Sequence, residues 1–209
     1  MLQLSVKPTR MELSNLKKRL KVAVRGHKLM KDKRDEMVRR FIVYVKQNKE
    51  LRESVEAGMS VAMQKFLLAR STMTIEEIEE ALYYPVRKAS IRAGVKNILS
   101  VKVPALEVVI SGETSELPYG FLTTSCELDE AVSAFSALLP LLIRLAEVEK
   151  TCNLLADEIE KTRRRVNALE FVMIPQFQEA IRTIKMKLDE NERGNLTRLM
   201  KTKEMLAKK

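Results

Sequence analysis

The chain has 209 residues and a formal net charge of +10; 32% of its residues are charged, 45% hydrophobic and only 5% aromatic. That balance excludes a thick globular core and favours long exposed helices, and no apolar run reaches the roughly 18 residues that a membrane-spanning helix needs. The opening Met-Leu-Gln-Leu-Ser lacks the form of a signal peptide, and Cys126 and Cys152 make no CxxC and have no His nearby, so a soluble chain facing the cytoplasm, without disulfide framework or zinc site, is expected.

Met1 to Thr9 is expected to be extended up to Pro8, with Thr9 as an N-cap and Glu12, three residues on, completing a capping box. From Arg10 to about Arg70 there is no Pro, and Leu13, Leu16, Leu20, Ala23, Met30, Met37, Phe41, Tyr44, Leu51 and Val55 recur at steps of three and four. That spacing makes one stripe of a helix, kept in line by supercoiling against a partner. About 60 residues would span roughly 90 Å at 1.5 Å per residue, so the partner must be equally long. His27, Arg34, Asn48 and Gly58 interrupt the stripe; polar residues there can fix register.

Ser71 and Thr72 end the helix, and Thr74 with Glu77 caps a short second one whose apolar face is Ile75, Ile78 and Leu82 and which Pro85 stops. The period then changes to two: Lys88 to Arg92, a turn near Gly94 to Asn97, and Ile98 to Val103 before Pro104 predict a β-hairpin, with Leu106 to Ile110 as a further extended piece. Ser111 to Ser125 reads as an irregular loop. From Leu128 to about Leu206 a second helical stripe runs through Val132, Phe135, Leu139, Leu142, Cys152, Leu155, Ile159, Val166, Leu169, Met173, Phe177, Ile181, Ile184, Leu188, Leu196 and Leu199. Glu127 and Asp129 suit its positive N-terminus, and Pro140 and Pro175 should kink or divide it. Cys152 lies on the stripe as a small hydrophobe.

The fold class is therefore mainly α: a long antiparallel two-helix coiled coil with a small middle head holding a short helix and a β-hairpin, divided into 1–70, 71–127 and 128–209. Both chain ends share one tip. Residues 7 to 52 carry a net +11, 53 to 156 carry −5 and 157 to 209 carry +4, so the basic excess gathers at that tip. A nucleic-acid grip would use such charge, as would an acidic protein partner. Glycine-rich phosphate cradles are missing, the lone His27 has no second ligand or paired acid in view, and no Ser or Cys has a His partner; no enzymatic, cofactor or metal site is expected.

Two long stretches resemble one family. The first is Pro8-Thr9-Arg10, Leu13, Leu16-Lys17, Leu20, Ala23, Arg25-Gly26-His27-Lys28-Leu29 and Lys31 to Glu36; the second is Ala146 to Thr151, Glu158 to Glu170, Ile174-Pro175, Glu190 to Arg193 and Arg198-Leu199. Lys96 to Pro104 looks like the second strand of the same family's hairpin. The chain resembles the D subunit, the central-stalk shaft of V-type and A-type rotary ATPases, nearly end to end; Glu107 to Ser125 carries no family pattern.

The resemblance implies a non-catalytic rotor shaft. Its tip would sit in the bore of a ring of three A and three B subunits, a small F subunit would bind along it, and a funnel-shaped subunit would join it to the membrane ion ring. No nucleic acid, cofactor or direct membrane insertion is implied, and the location is peripheral, on the cytoplasmic side. Bore candidates are Thr9, Arg10, Lys17, Arg25, His27, Lys28, Lys31, Arg34, Arg182, Lys185, Arg193 and Arg198. Candidates for contact with the F subunit are Tyr44, Leu51, Val55, Glu147, Leu155, Ile159, Arg163 and Val166, with Ile91, Arg92, Asn97, Ile98 and Val101 of the hairpin adjusting coupling or the docking of that subunit. Thr162 to Arg165 reads as a charged outer face with one Arg pairing across the seam. Without the resemblance, the same features describe a coiled-coil scaffold or tether, or a nucleic-acid-binding coiled coil.

Overall fold

Both periodic runs fold as long helices. The structure, a computed structural model, describes residues 7–83, 88–111, 119–120 and 124–207. Helix α1 covers Arg10–Thr72, α2 Ile75–Leu82, α3 Cys126–Ala168 and α4 Ile174–Ala207; strands β1 Lys88–Ile98 and β2 Val101–Ser111 form an antiparallel pair, and a five-residue π turn, Leu169–Met173, joins α3 to α4. Two compact units divide the chain, Met1–Glu36 with Ile159–Lys209, and Met37–Glu158. Each takes a piece of both long helical runs.

In the first unit, Thr9 caps α1: its Oγ1 accepts the Glu12 N–H at 3.2 Å. The capping box is only half formed, since the Thr9 N–H donates to the Lys7 carbonyl at 2.9 Å. Leu16 and Ala23 of α1, Val166 of α3 and Ile184 of α4 are buried. Arg10 meets Glu192 at 2.5 Å and His27 Nε2 lies 3.3 Å from Glu170 Oε2. As one number rises the other falls, so the pairing is antiparallel. In the π turn the Ile174 N–H reaches back five residues to the Leu169 carbonyl. The widened turn relieves the clash that the ring of Pro175 would make with a carbonyl four residues back. Pro140, by contrast, lies inside α3 without dividing it. The π turn also rotates the stripe, and Met173, expected on the seam, is exposed together with Phe171 and Val172.

In the second unit the seam is built from Met37, Val55, Ala62 and Ala69 of α1 and Leu128, Ala131, Leu138, Thr151, Cys152 and Leu155 of α3. The pairs Arg52–Glu149 at 3.2 Å and Lys65–Glu130 at 3.1 Å run alongside it; both are well exposed, so each contributes about 1 kcal/mol at most. Asn48, which interrupts the α1 stripe, hydrogen-bonds Cys152. Burial raises that thiol's pKa, the Asn48 bond opposes the rise and Glu149 adds to it. Gly58 faces Leu138, whose Cδ2 would lie 2.5 Å from an added Cβ. Here an added side chain would have to displace that of Leu138.

The head of this unit closes around Ala69, Met73, Ile78, Ala81 and Leu128. Thr74 and Glu77 form the full capping box of α2, and these bonds hold the Glu77 carboxyl below its ordinary pKa. The buried face of α2 differs from the expected one: Ile78 and Ala81 point inward, while Ile75 and Leu82 are exposed. Glu127 accepts the Thr72 hydroxyl at 2.8 Å and Asp129 that of Tyr119 at 2.7 Å. Burial, then the bond and charge of Asp129, push the Tyr119 phenol well above its usual pKa.

The hairpin turns at Leu99 and Ser100, whose φ values are 49° and 73°, and not near Gly94 to Asn97. Those residues lie inside the ladder, Gly94 opposite Ala105 and Asn97 opposite Lys102. The physical reason is burial: Ile98, Val101 and Val103 pack with Leu155, and only this register brings all three to one place. Two left-handed non-glycine residues cost roughly 1–2 kcal/mol each, which that burial offsets. The strand also runs on through Pro104, where the expected strand stopped. Pro85 and most of the expected loop from Ser111 to Ser125 lie outside the described residues.

The helical run Cys126–Ala207 contains an 18-residue window with mean hydropathy 1.7, so the expectation that nothing is apolar enough for a membrane span fails on length and composition. Within this run Ala131 and Leu138 spend part of that character on the seam. Gly58→Leu is expected to destabilise the second unit by about 1–3 kcal/mol through overpacking. Gly26→Ala, with no atom within 4 Å of the new Cβ, is expected to stabilise α1 by about 0.5–1 kcal/mol. Urea unfolding followed by circular dichroism checks both.

Candidate functional site

Among the described residues no three His, Cys, Asp or Glu side chains gather as a metal site, and the one His is engaged with Glu170. The chemistry on offer is that of surfaces. On the first unit, Arg10, Lys17 and Lys185 line one open groove of about 430 Å³ with Leu13, Leu188 and Glu192. Arg34 is held by its neighbour Asp35 through Nε at 3.0 Å and Nη2 at 2.8 Å. Arg25, Lys28, Lys31, Arg182, Arg193 and Arg198 reach the surface without an ion-pair partner among the described residues. Thr9 is spent on its cap. Arg10, His27 and Arg34 are thus tied to acids within the chain, and the remaining cations stay available to a partner.

The more informative feature of this unit was not legible as such in the sequence. Because Arg10 opens α1 and already stands beside Glu192, α1 has no residue to set against α4 beyond that point. Leu196 and Leu199, expected on a seam, are exposed, with Met200, Met205 and Leu206 beside them; Leu199 is 66% and Leu206 72% exposed. A helix end of some fifteen residues with large apolar side chains in water is marginal alone. The signal was present in the mismatch between the ends of the two stripes.

On the second unit the hairpin packs over part of the stretch expected to meet a small partner subunit. Leu155 is fully buried beneath it, Phe41, Tyr44 and Leu154 pack against the same cluster, and Glu147 accepts the Leu106 N–H at 3.4 Å. Val55, Leu155 and Val166 are buried in the chain's own seams; the periodicity that singled them out is the one that buries them. Leu51 and Ile159 are half-buried and Arg163 is exposed. Of the hairpin residues, Ile98 and Val101 are buried, while Ile91, Arg92 and Asn97 face solvent. Arg163, Arg164 and Arg165 all point outward; Arg164 pairs with Glu160 on its own helix, and Thr162 takes the seam position. The expected Arg across the seam is not there. Beside α2, an open groove of about 530 Å³ is lined by Phe66, Arg70, Ile75, Ile78, Glu79, Leu82 and Tyr83.

The likeness to known proteins extends over almost the whole chain. Residues 12–204 match the family model for the D subunit of ATP synthase. The chain is 54% identical over 208 residues to the D subunit of V-type ATP synthase from Thermoanaerobacter sp. (strain X514), covering 100% of both chains. It is 54% identical over 211 residues to the protein of the same name from Clostridium novyi (strain NT), covering 100% of this chain and 98% of the other. With that of Acetivibrio thermocellus it shares 56% over 203 residues, covering 96% and 91%.

Leu155 joins the hairpin to the helix seam, and its truncation leaves a cavity at that junction. Leu155→Ala is expected to cost about 2–5 kcal/mol, measured by denaturant unfolding, and to speed hydrogen exchange of the Ile98 and Val103 amides.

Proposed function

This chain belongs to the family of ATP synthase D subunits, and from that premise we propose that it is the non-catalytic central-stalk shaft of a V-type rotary ATPase. It carries torque between ATP hydrolysis or synthesis in a ring of three A and three B subunits and ion movement through the membrane rotor ring. The small F subunit binds along it, a funnel-shaped subunit couples it to that ring, and the whole lies peripherally on the cytoplasmic side of the membrane.

One observation carries the reading: α4 from Arg193 to Ala207 is basic, exposes large apolar side chains and runs on past the point where α1 begins. A ring with an apolar collar and acidic patches is the partner that would complete it. Leucines and methionines at this end would slide against a smooth apolar wall, whereas Arg25, Lys28, Lys31 and Arg182 offer charge to acidic loops. Side-chain contacts that differ around the helix give the three catalytic interfaces different neighbours at any moment, which is how rotation would couple to sequential turnover. The second unit supports the reading too, since Val61, Met63, Leu67 and Leu68 are exposed on α1 and only 22% of the apolar window in Cys126–Ala207 is buried. Apolar surface on this scale calls for protein neighbours.

Purification through a tag inserted at Pro118 from gently solubilised membranes is expected to yield an ATPase with one copy of this chain per three A subunits; a homodimer free of ATPase subunits would overturn the proposal. Each apolar side chain buried in the ring contributes about 1.5 kcal/mol or more, so the triple change Leu196→Ser, Leu199→Ser and Met200→Ser is expected to weaken ring binding by more than about a hundredfold. Titration of the purified ring with the variant checks this.

A further inference from the structure

In the first unit one stretch of the helix pair lacks what holds the rest together. From Val24 to Glu36 on α1, and between Val166 and Ile184 on the run of α3 and α4, no side chain is buried. The π turn lies inside the second of these spans, with Phe171, Val172 and Met173 exposed. Its backbone is weakened as well. The Ile174 N–H, which an α-helix would give to the Glu170 carbonyl, goes to the Leu169 carbonyl, and residue 175 is a Pro with no N–H to offer the Phe171 carbonyl. Two consecutive carbonyls thus lose their α-helical donors. Pro140 removes a donor too, but α3 runs through it unbroken, with Leu138 buried beside it.

Helix α1 reaches this turn through His27, the one His of the chain. Its Nε2 lies 3.3 Å from Oε2 of Glu170, the second residue of the turn; the His27 side chain is 21% and that of Glu170 50% exposed. Either the charged ring or the neutral ring protonated at Nε2 can donate to that carboxylate. His27 stands on the apolar stripe, four residues after Ala23 and three before Met30, where a Leu would bury more apolar surface. A polar ring at such a position gives up packing and supplies a directed bond to the point where the opposing backbone is weakest.

We propose that the π turn is a yielding joint in the first unit and that the His27–Glu170 contact is the strap that holds it shut. Segments with few buried side chains and missing backbone bonds open before the helices around them, and π turns inside long helices are common at the working points of proteins. In a chain that carries torque, twist would collect at this joint, so that α4 turns against α1 here before the seam at Leu16 and Ile184 yields. The strap goes beyond the shaft reading and does not require it.

Hydrogen exchange of the full chain, followed by mass spectrometry on peptides spanning Leu169 to Phe177, reads the opening of the joint. Glu170→Ala and His27→Leu are each expected to speed exchange there about threefold to fivefold, the range open to a half-exposed ion pair. The double variant is expected to be no faster than either single one, because both remove the same contact. His27→Gln, whose amide can still donate near the Nε2 position, is expected to stay close to wild type. Peptides around Leu16 and Ile184 are expected to exchange as in the wild type throughout, which separates the strap from a general loss of stability. Unchanged exchange in both single variants, effects that add in the double variant, or a His27→Gln variant as fast as His27→Leu would overturn the proposal. So would faster exchange in every peptide alike, or slower exchange in His27→Leu, which would mean that the position only wants apolar packing.

Discussion

Everything in this molecule depends on the apolar seam between α1 and the antiparallel run of α3 and α4. A 63-residue helix with cations over most of its surface has little reason to stay folded in water by itself. Leu16, Ala23, Val166 and Ile184 in the first unit, and Met37, Val55 and Leu155 in the second, supply that reason. The seam also needs a register, and Asn48 against Cys152 places a polar contact where a slip would break it. Gly58 against Leu138 does the same by shape.

The hairpin shows how far the seam's authority extends. Two strands alone are marginal in water, and this pair is held by three apolar residues near its turn and by Glu147 on one edge. The packing is strong enough to impose left-handed φ on Leu99 and Ser100 although Gly94 and Asn97 lie a few residues upstream. Turn preference, worth about a kilocalorie or two, yields to the burial of Ile98, Val101 and Val103. The same logic explains the π turn, where one wider turn accommodates Pro175 and lets the α4 stripe begin again on the correct side at Phe177, Ile181 and Ile184.

What the seam leaves over is as telling as what it buries. An autonomous protein seldom exposes a helix ending in Leu196, Leu199, Met200, Met205 and Leu206, or a strand with Ile91 and Val95 in water. These are surfaces of a part, whose stability is completed by neighbours in a larger assembly. For the proposed shaft, one element is asked to be stiff along its seam and sparing in its contacts with the ring. Packing supplies the first, and a surface of isolated cations and flexible methionines suits the second.

The sequence by itself determined the two long helices, their antiparallel pairing, the caps at Thr9 and Thr74 and the existence of a hairpin between them, because each is written in local periodicity or in residues three apart. The family, too, was legible, since its motifs are linear. The tertiary structure alone decided where the hairpin turns, which face of α2 goes inward, that Gly58 is a point of contact, that Val55, Leu155 and Val166 are interior, and that α4 outruns α1. These follow from which residues meet across long stretches of chain. A one-dimensional pattern shows that a residue wants burial, but only the opposing surface decides whether there is anything to bury it against.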